Sequence, residues 1–194
     1  MRQDYLTFGS PALGEEEIAE VVDTLRSGWI GTGPKVTVFE SAFADYVGAE
    51  HAIAVSSCTA ALHLSMLVFG IEAGDEIITT PMTFCATVNA IVHAGAIPVL
   101  VDIDPETLNI EPACIEAAIT PKTKGVIPVH FGGRPCEMAA ICQIAERHGL
   151  VIIEDAAHAI ESRTPDAKIG TIGDLACFSF YVTKNVVTAE GGMI

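Results

Sequence analysis

The run CFSFYVTKN (177–185) carries one lysine, Lys184, at the end of a stretch that otherwise reads as a buried strand and its exit turn. A lysine leaving apolar surroundings loses hydration, so its amine gives up its proton more easily and can act as nucleophile or base. Three other placements could do chemistry. Asp155 closes the run LVII after Glu154, which puts an aspartate at a strand end; the same residue would serve as N-cap of a following helix. Ser57 and Thr59 follow AIAV and open a helix, where hydroxyls and amides can hold a phosphate at the positive helix end or simply cap it. Phe84 begins another helix, as a flat wall for a ligand or as core. Taken singly, Lys184 reads as a surface lysine at a turn, and each of the others also has its plain structural role.

The elements that must position these residues alternate between two periods. HAIAVSS (51–57) is a short β-rich run, and TAALHLSMLVFG has apolar residues at helical spacing until Gly70. DEIITT leads through Pro81 into a second helix, FCATVNAIVHAG, that ends at Gly95. AIPVLVDID, KGVIPVHFGG and LVIIEDAA are continuous apolar strands of the kind covered on both faces, and EMAAICQIAERHG between the last two is an amphipathic helix. GEEEIAEVVDTLRSG and KVTVFESAFADYVG read as two helices outside the sheet. The alternation predicts an α/β fold with a mainly parallel, right-handed sheet and ligands at the carboxyl ends of its strands. No internal repeat or low-complexity linker divides residues 1–194, which read as one domain. DLACFSF adds a strand and EGGMI begins another that stops at Ile194, so a fragment of a longer protein is expected.

Composition narrows the partners. Half of the 194 residues are hydrophobic and the formal net charge is −15, which fits a globular chain and argues against nucleic acid or an anionic membrane surface, since no basic stripe exists. The opening MRQDYLTFGS carries charge where a leader needs apolar residues, and AIVHAGAIPVLV is too short to span a bilayer. A cytoplasmic protein is expected. Six cysteines show neither a CxxC pair nor metal-ligand spacing, which predicts free thiols and no metal site.

Together, the four placements match what pyridoxal phosphate requires. A lysine forms a Schiff base with its aldehyde, an aspartate keeps the pyridine nitrogen protonated so that the ring draws electrons, a cradle holds the phosphate, and an aromatic covers the ring.

The motifs GWIGTGPKVTVFE, AVSSCTAALHL, PMTFCATVNAI, VDIDPETLNI, IPVHFGG, IEDAAHAI, GDLACFSFYVTKN and EGGMI resemble, in order, those of the DegT/DnrJ/EryC1/StrS sugar aminotransferases, from about residue 6 to the last. Within that family the wording is nearest to the nucleotide-sugar 4-aminotransferases. The resemblance implies the large domain of a type I PLP-dependent transferase, aspartate aminotransferase-like, with its C-terminal small domain missing. It implies that Lys184 carries the internal aldimine, Asp155 partners the pyridine nitrogen, and His158 stands beside the phenolic oxygen. By the same resemblance Thr59, Ala60 and Ser179 bind the phosphate, joining the Ser57 already placed there by its position at the helix start, Phe84 covers the cofactor, and Trp29, Ile30 and Gly31 lie in a loop near the sugar cleft. The implied reaction is ping-pong transamination from glutamate to a keto group on a nucleotide-linked sugar, and the implied assembly is a homodimer.

Three features depart from the pattern. Cys58 stands in the phosphate turn where several members have Gly or Ala, Arg163 and Lys168 in ESRTPDAKIGTIG receive no role, and the C-terminal small domain and the loop that crosses to the partner subunit are expected to be missing. Two rival readings follow: an inactive fragment of such an enzyme, and a dinucleotide-binding oxidoreductase, although no G-x-G-x-x-G follows the first strand.

Overall fold

The computed structural model describes residues 9–194, so the opening stretch 1–8, on which the reading of a missing leader rests, lies outside the described residues. Two helices come first. α1 (Glu15–Ser27) starts behind Gly14, whose amide donates to Glu17 at 2.6 Å, and ends on Gly28 in the left-handed conformation (φ 74°) that favours glycine. α2 (Pro34–Val47) begins with proline in its first turn, where the missing N–H is no loss.

The remaining chain builds a seven-stranded sheet. Its strands are β1 (Ala54–Val55), β2 (Glu76–Thr79), β3 (Ile97–Leu100), β4 (Thr123–Val126), β5 (Val151–Asp155), β6 (Leu175–Ser179) and β7 (Gly192–Met193). They lie in the order β1-β7-β6-β5-β4-β2-β3. The five strands β6, β5, β4, β2 and β3 pair in parallel, while β7 runs antiparallel to both β6 and β1. HAIAVSS thus contributes only two paired residues, extended by the mutual backbone bonds of Ile53 and Ile194 at 2.8 and 2.9 Å. EGGMI is inserted between two strands, burying Met193 completely.

Period-two alternation distributes the apolar strand residues over two cores. Ile77, Ile127, Ile153 and Cys177 join Leu62 and Met66 of α3 (Cys58–Val68) and Ile91 of α4 (Cys85–His93) on one face. Ile78, Val126, Ile152 and Ala176 join Phe43 of α2, Ile115 of α5 (Pro112–Ala118) and Ile141 of α6 (Met138–His148) on the other. The expected helices on both faces are therefore present. α5 was not anticipated, because its seven residues bury only Ile115; Pro112 in its first turn behind Glu111 was the available cue.

The segment 160–173 between β5 and β6 is anchored rather than free. Lys168 lies 3.4 Å above the Tyr46 ring and donates to the Tyr46 carbonyl, while the Tyr46 hydroxyl donates to Glu161 at 2.7 Å. Lys168 therefore ties this excursion to the end of α2 by a cation–π contact.

Candidate active site

From β2 the chain goes through α4 to β3 on one side, whereas from the neighbouring β4 it goes through α6 to β5 on the other. Such a reversal leaves a crevice at the carboxyl ends of the strands. There a cavity of about 350 Å³ is lined by the connections that follow β1, β2, β4, β5 and β6. Ser57, Thr59, Phe84, Asp155, His158, Ser179 and Lys184 all line it. Ala60 does not.

The first turn of α3 forms one wall. Ser57 is its N-cap, its Oγ accepting the Ala60 amide at 3.1 Å, and its carbonyl accepts the Ala61 amide at 3.0 Å. The Ala60 amide, expected to face the phosphate, is engaged in this cap. Among the described residues the amides of Cys58 and Thr59 find no acceptor, and the Ser57 hydroxyl keeps its proton to donate. The helix end therefore offers free donors of the kind that can hold an anion. The Cys58 thiol turns inward to the Cys177 carbonyl at 3.4 Å, and burial pushes its proton affinity well up.

Asp155 forms the floor and is almost wholly buried. No helix follows it; the chain turns, and Oδ1 accepts the Ala157 amide at 3.2 Å. Oδ2 accepts the Thr87 hydroxyl at 2.7 Å, and Thr87 in turn lies 2.7 Å from the Thr83 hydroxyl. Burial raises the Asp155 carboxyl above its ordinary value, and the Thr87 and Ala157 donors oppose that shift. His158 stands on the same turn, edge-on to Phe131 with ring centroids 6.5 Å apart; burial and then the Lys184 charge lower its proton affinity.

Lys184 enters from the turn after β6, where its amide donates to the Tyr181 carbonyl at 2.8 Å. The side chain is half-buried, and burial lowers its proton affinity against the opposing pull of Cys58 and Asp155. Phe84, the N-cap of α4, presents an aromatic ring that is 76% exposed at the cavity wall.

Trp29, Ile30 and Gly31 are not brought to the cavity. They sit in the loop joining α1 to α2, with the Trp29 Nε1–H donating to the Thr32 carbonyl at 2.9 Å and the indole packed where a Gly33 side chain would be. Thr83, Thr87, His130 and Phe131 are among the lining residues that had escaped sequence reading. Thr83 and Thr87 are four apart at a helix start, a spacing that places them on one face and was a usable signal.

A mainly parallel sheet whose strand ends bring a lysine, a buried aspartate and a helix N-terminus into one cavity has the architecture of an aminotransferase large domain. The chain belongs to the DegT/DnrJ/EryC1/StrS aminotransferase family, whose model matches residues 11–194. It is 55% identical over 193 residues to the spore coat polysaccharide biosynthesis protein SpsC of Bacillus subtilis, covering 100% of this chain and 50% of that one. A protein assigned as a sugar aminotransferase, Spr1654 of Streptococcus pneumoniae, superimposes in its PLP form with a TM-score of 0.94 at 39% identity, over 97% of this chain and 52% of that one. PseC of Helicobacter pylori, an aminotransferase of pseudoaminic acid biosynthesis, does so with a TM-score of 0.92 at 31% identity, over 96% and 51%. The chain thus spans about half the length of the relatives it matches.

Proposed function

We propose that the full-length protein carries out PLP-dependent transamination, moving an amino group from glutamate to a keto group on a nucleotide-linked sugar during amino-sugar or cell-surface polysaccharide synthesis in the cytoplasm. The observation that carries this reading is the meeting of Lys184, Asp155 and the α3 N-terminus in one cavity at the strand ends. The cavity's volume, its free amides, its buried carboxylate and its uncovered ring fit the cofactor's phosphate, pyridine nitrogen and ring face.

Pyridoxal phosphate, when bound, supplies an aldehyde to be attacked and a ring that withdraws electrons. The residues of this chain do the rest. Ser57, Thr59 and Ser179, with the free amides of α3, hold the phosphate dianion on the positive end of the helix dipole. Asp155 keeps a proton on the ring nitrogen, which its burial makes effective because water does not screen the pair. Phe84 covers one ring face, and His158 donates or accepts at the ring's phenolic oxygen. Lys184, with proton affinity lowered by burial, is the nucleophile and then shuttles the proton in both half-reactions. Trp29, Ile30 and Gly31, away from this cavity and exposed, serve a sugar cleft completed by a second copy in a homodimer.

The names of SpsC and PseC support a carbohydrate substrate. An oxidoreductase reading finds no glycine fingerprint after β1 to support it. The test is a separated half-reaction on the full-length protein. Glutamate alone should bleach the cofactor's visible absorption and release 2-oxoglutarate, and a nucleotide-linked keto-sugar should restore the colour. Bleaching that glutamate cannot produce, while other amino donors can, would overturn the donor assignment; restoration only by non-sugar ketones would overturn the acceptor.

A further inference from the structure

We propose that Thr87, backed by Thr83, is the positioning residue that keeps Asp155 ionised and aimed, through a directed chain of hydroxyl protons running from Thr83 to Thr87 to the carboxylate. The proposal rests on the reading of Asp155 as partner of the cofactor's ring nitrogen. Three distances carry it: Thr83 Oγ1 to Thr87 Oγ1 at 2.7 Å, Thr87 Oγ1 to Asp155 Oδ2 at 2.7 Å, and Thr87 Oγ1 to the Phe84 carbonyl at 3.2 Å.

A threonine hydroxyl has one proton, and an ionised carboxylate can only accept. If Asp155 is charged, the Thr87 proton must point to Oδ2, the shorter of its two acceptors, and Thr83 must then donate to the Thr87 oxygen. The direction of the chain and the charge of Asp155 are therefore one fact seen from two ends. Thr87 has no solvent exposure and Asp155 has 5%, so no water substitutes for the missing donor if Thr87 is changed.

The chain also crosses the topological switch. Thr83, just before the N-cap of α4, and Thr87, in its first turn, follow β2, whereas Asp155 ends β5. With Oδ2 taken by Thr87 and Oδ1 by the Ala157 amide, the carboxylate plane cannot rotate, and its remaining lone pairs face a fixed direction. The donation also opposes the upward shift that burial imposes on this carboxyl. Other titratable groups act on Asp155 from neighbouring elements: His130 after β4, His158 on its own turn, Cys58 of α3, Cys177 of β6 and Lys184 beyond it. All of them remain in a Thr87 variant, so a change seen there belongs to the hydroxyl.

The experiment titrates the full-length apoprotein with pyridoxal phosphate across the acid range, following protein fluorescence, for wild type, Thr87→Val, Thr87→Ser, Thr83→Val and Asp155→Asn. Thr87→Val keeps the shape and removes the donor; it should weaken cofactor binding about tenfold or more, the scale of a hydrogen bond to a charged group. Its loss of binding on acidification should begin at higher pH, because the carboxyl has lost a partner that favours its charged form. Thr87→Ser, which keeps the donor, should restore both. Wild-type affinity and pH profile in Thr87→Val overturn the proposal, as does weaker binding with an unmoved pH profile, which is what a purely structural role gives. Should Thr87→Val not fold, Thr83→Val decides by moving the profile in the same direction to a smaller extent, or not at all. Asp155→Asn separates the two readings: if it binds and titrates like wild type, the role of Asp155 itself has failed.

Discussion

His130 and Glu154, both sealed from solvent, meet at 3.0 Å directly behind Asp155. The His130 Nδ1 accepts the Cys136 amide at 3.1 Å, so the proton lies on Nε2 and is donated to Glu154. Glu154 also accepts the amides of Ile172 at 3.1 Å and Gly173 at 2.8 Å, which closes the end of the 160–173 excursion. Burial disfavours this charged carboxyl, yet His130 and the amides together hold it below its ordinary value of 4.5.

Glu154→Gln places an amide NH₂ among donors that need acceptors, so the variant should lose roughly 3 kcal/mol of stability. The pH dependence has a definite sign. A carboxyl with a depressed folded value contributes stability that is present above 4.5 and lost as pH falls through the lower folded value. Thermal melts of wild type should therefore fall in that acid window more steeply than those of Glu154→Gln; parallel acid limbs would show that Glu154 is not the group responsible.

Gly192 lies against the backbone at the start of α3. A β-carbon there would stand 2.5 Å from the Ser57 carbonyl carbon and 2.6 Å from the Cys58 nitrogen, both backbone atoms that cannot swing aside. Gly192→Ala should displace β7 from α3, at a cost of about 1–3 kcal/mol in stability, and weaken phosphate retention. Unfolding in denaturant together with a phosphate-dependent cofactor titration checks both; wild-type values for each would mean that the contact relaxes freely.

The alternation that made β5 legible also explains what was not. LVIIED reads as one buried strand, but its last two residues face opposite sides: Asp155 toward α4 and Thr87, Glu154 toward His130. The sequence pattern locates both carboxylates at the strand end, whereas their partners lie 68 and 24 residues away and depend on which strands become neighbours. The same holds for Ala60, whose amide belongs to the helix cap, and for Lys168, whose partner is a tyrosine 122 residues distant. Lys184 was legible as a candidate only in combination with Asp155, the start of α3 and Phe84, because a lone lysine at a strand exit reads as a surface residue.

Asp155→Asn should separate stability from activity. A carboxyl whose folded value is raised by burial stabilises the fold only while protonated, and that contribution is lost as pH rises through the folded value. At neutral pH the apoprotein of Asp155→Asn should melt no lower than wild type. Its turnover should fall by roughly 10²-fold or more, the scale of losing one electrostatic stabiliser from a site. Wild-type turnover with normal cofactor content would remove Asp155 from its role.

Assembly is open to a direct check. α1 buries none of its residues; Ile18, Val21 and Leu25 are exposed along it, and Trp29 and Ile30 follow in the next loop. Apolar faces of this extent mark interaction surfaces. Light scattering of the full-length protein at micromolar concentration should return twice the chain mass, and the chain mass alone would contradict a homodimer.

The central claim is that Lys184 is the amine that binds the cofactor covalently. Among the other four lysines of this chain, Lys35 is paired to Glu20 and Asp23 at 2.6 and 2.9 Å, Lys168 rests on Tyr46, and Lys122 and Lys124 are exposed around the start of β4. None lines the cavity. Borohydride reduction of the full-length protein loaded with pyridoxal phosphate, followed by peptide mapping, tests the claim most directly. The pyridoxyl mass should fall on the peptide containing Lys184, and Lys184→Ala should take up no reduced label while still binding cofactor noncovalently through Ser57, Thr59 and Ser179. A label on any other lysine of the native protein, or undiminished labelling of Lys184→Ala, would contradict the account.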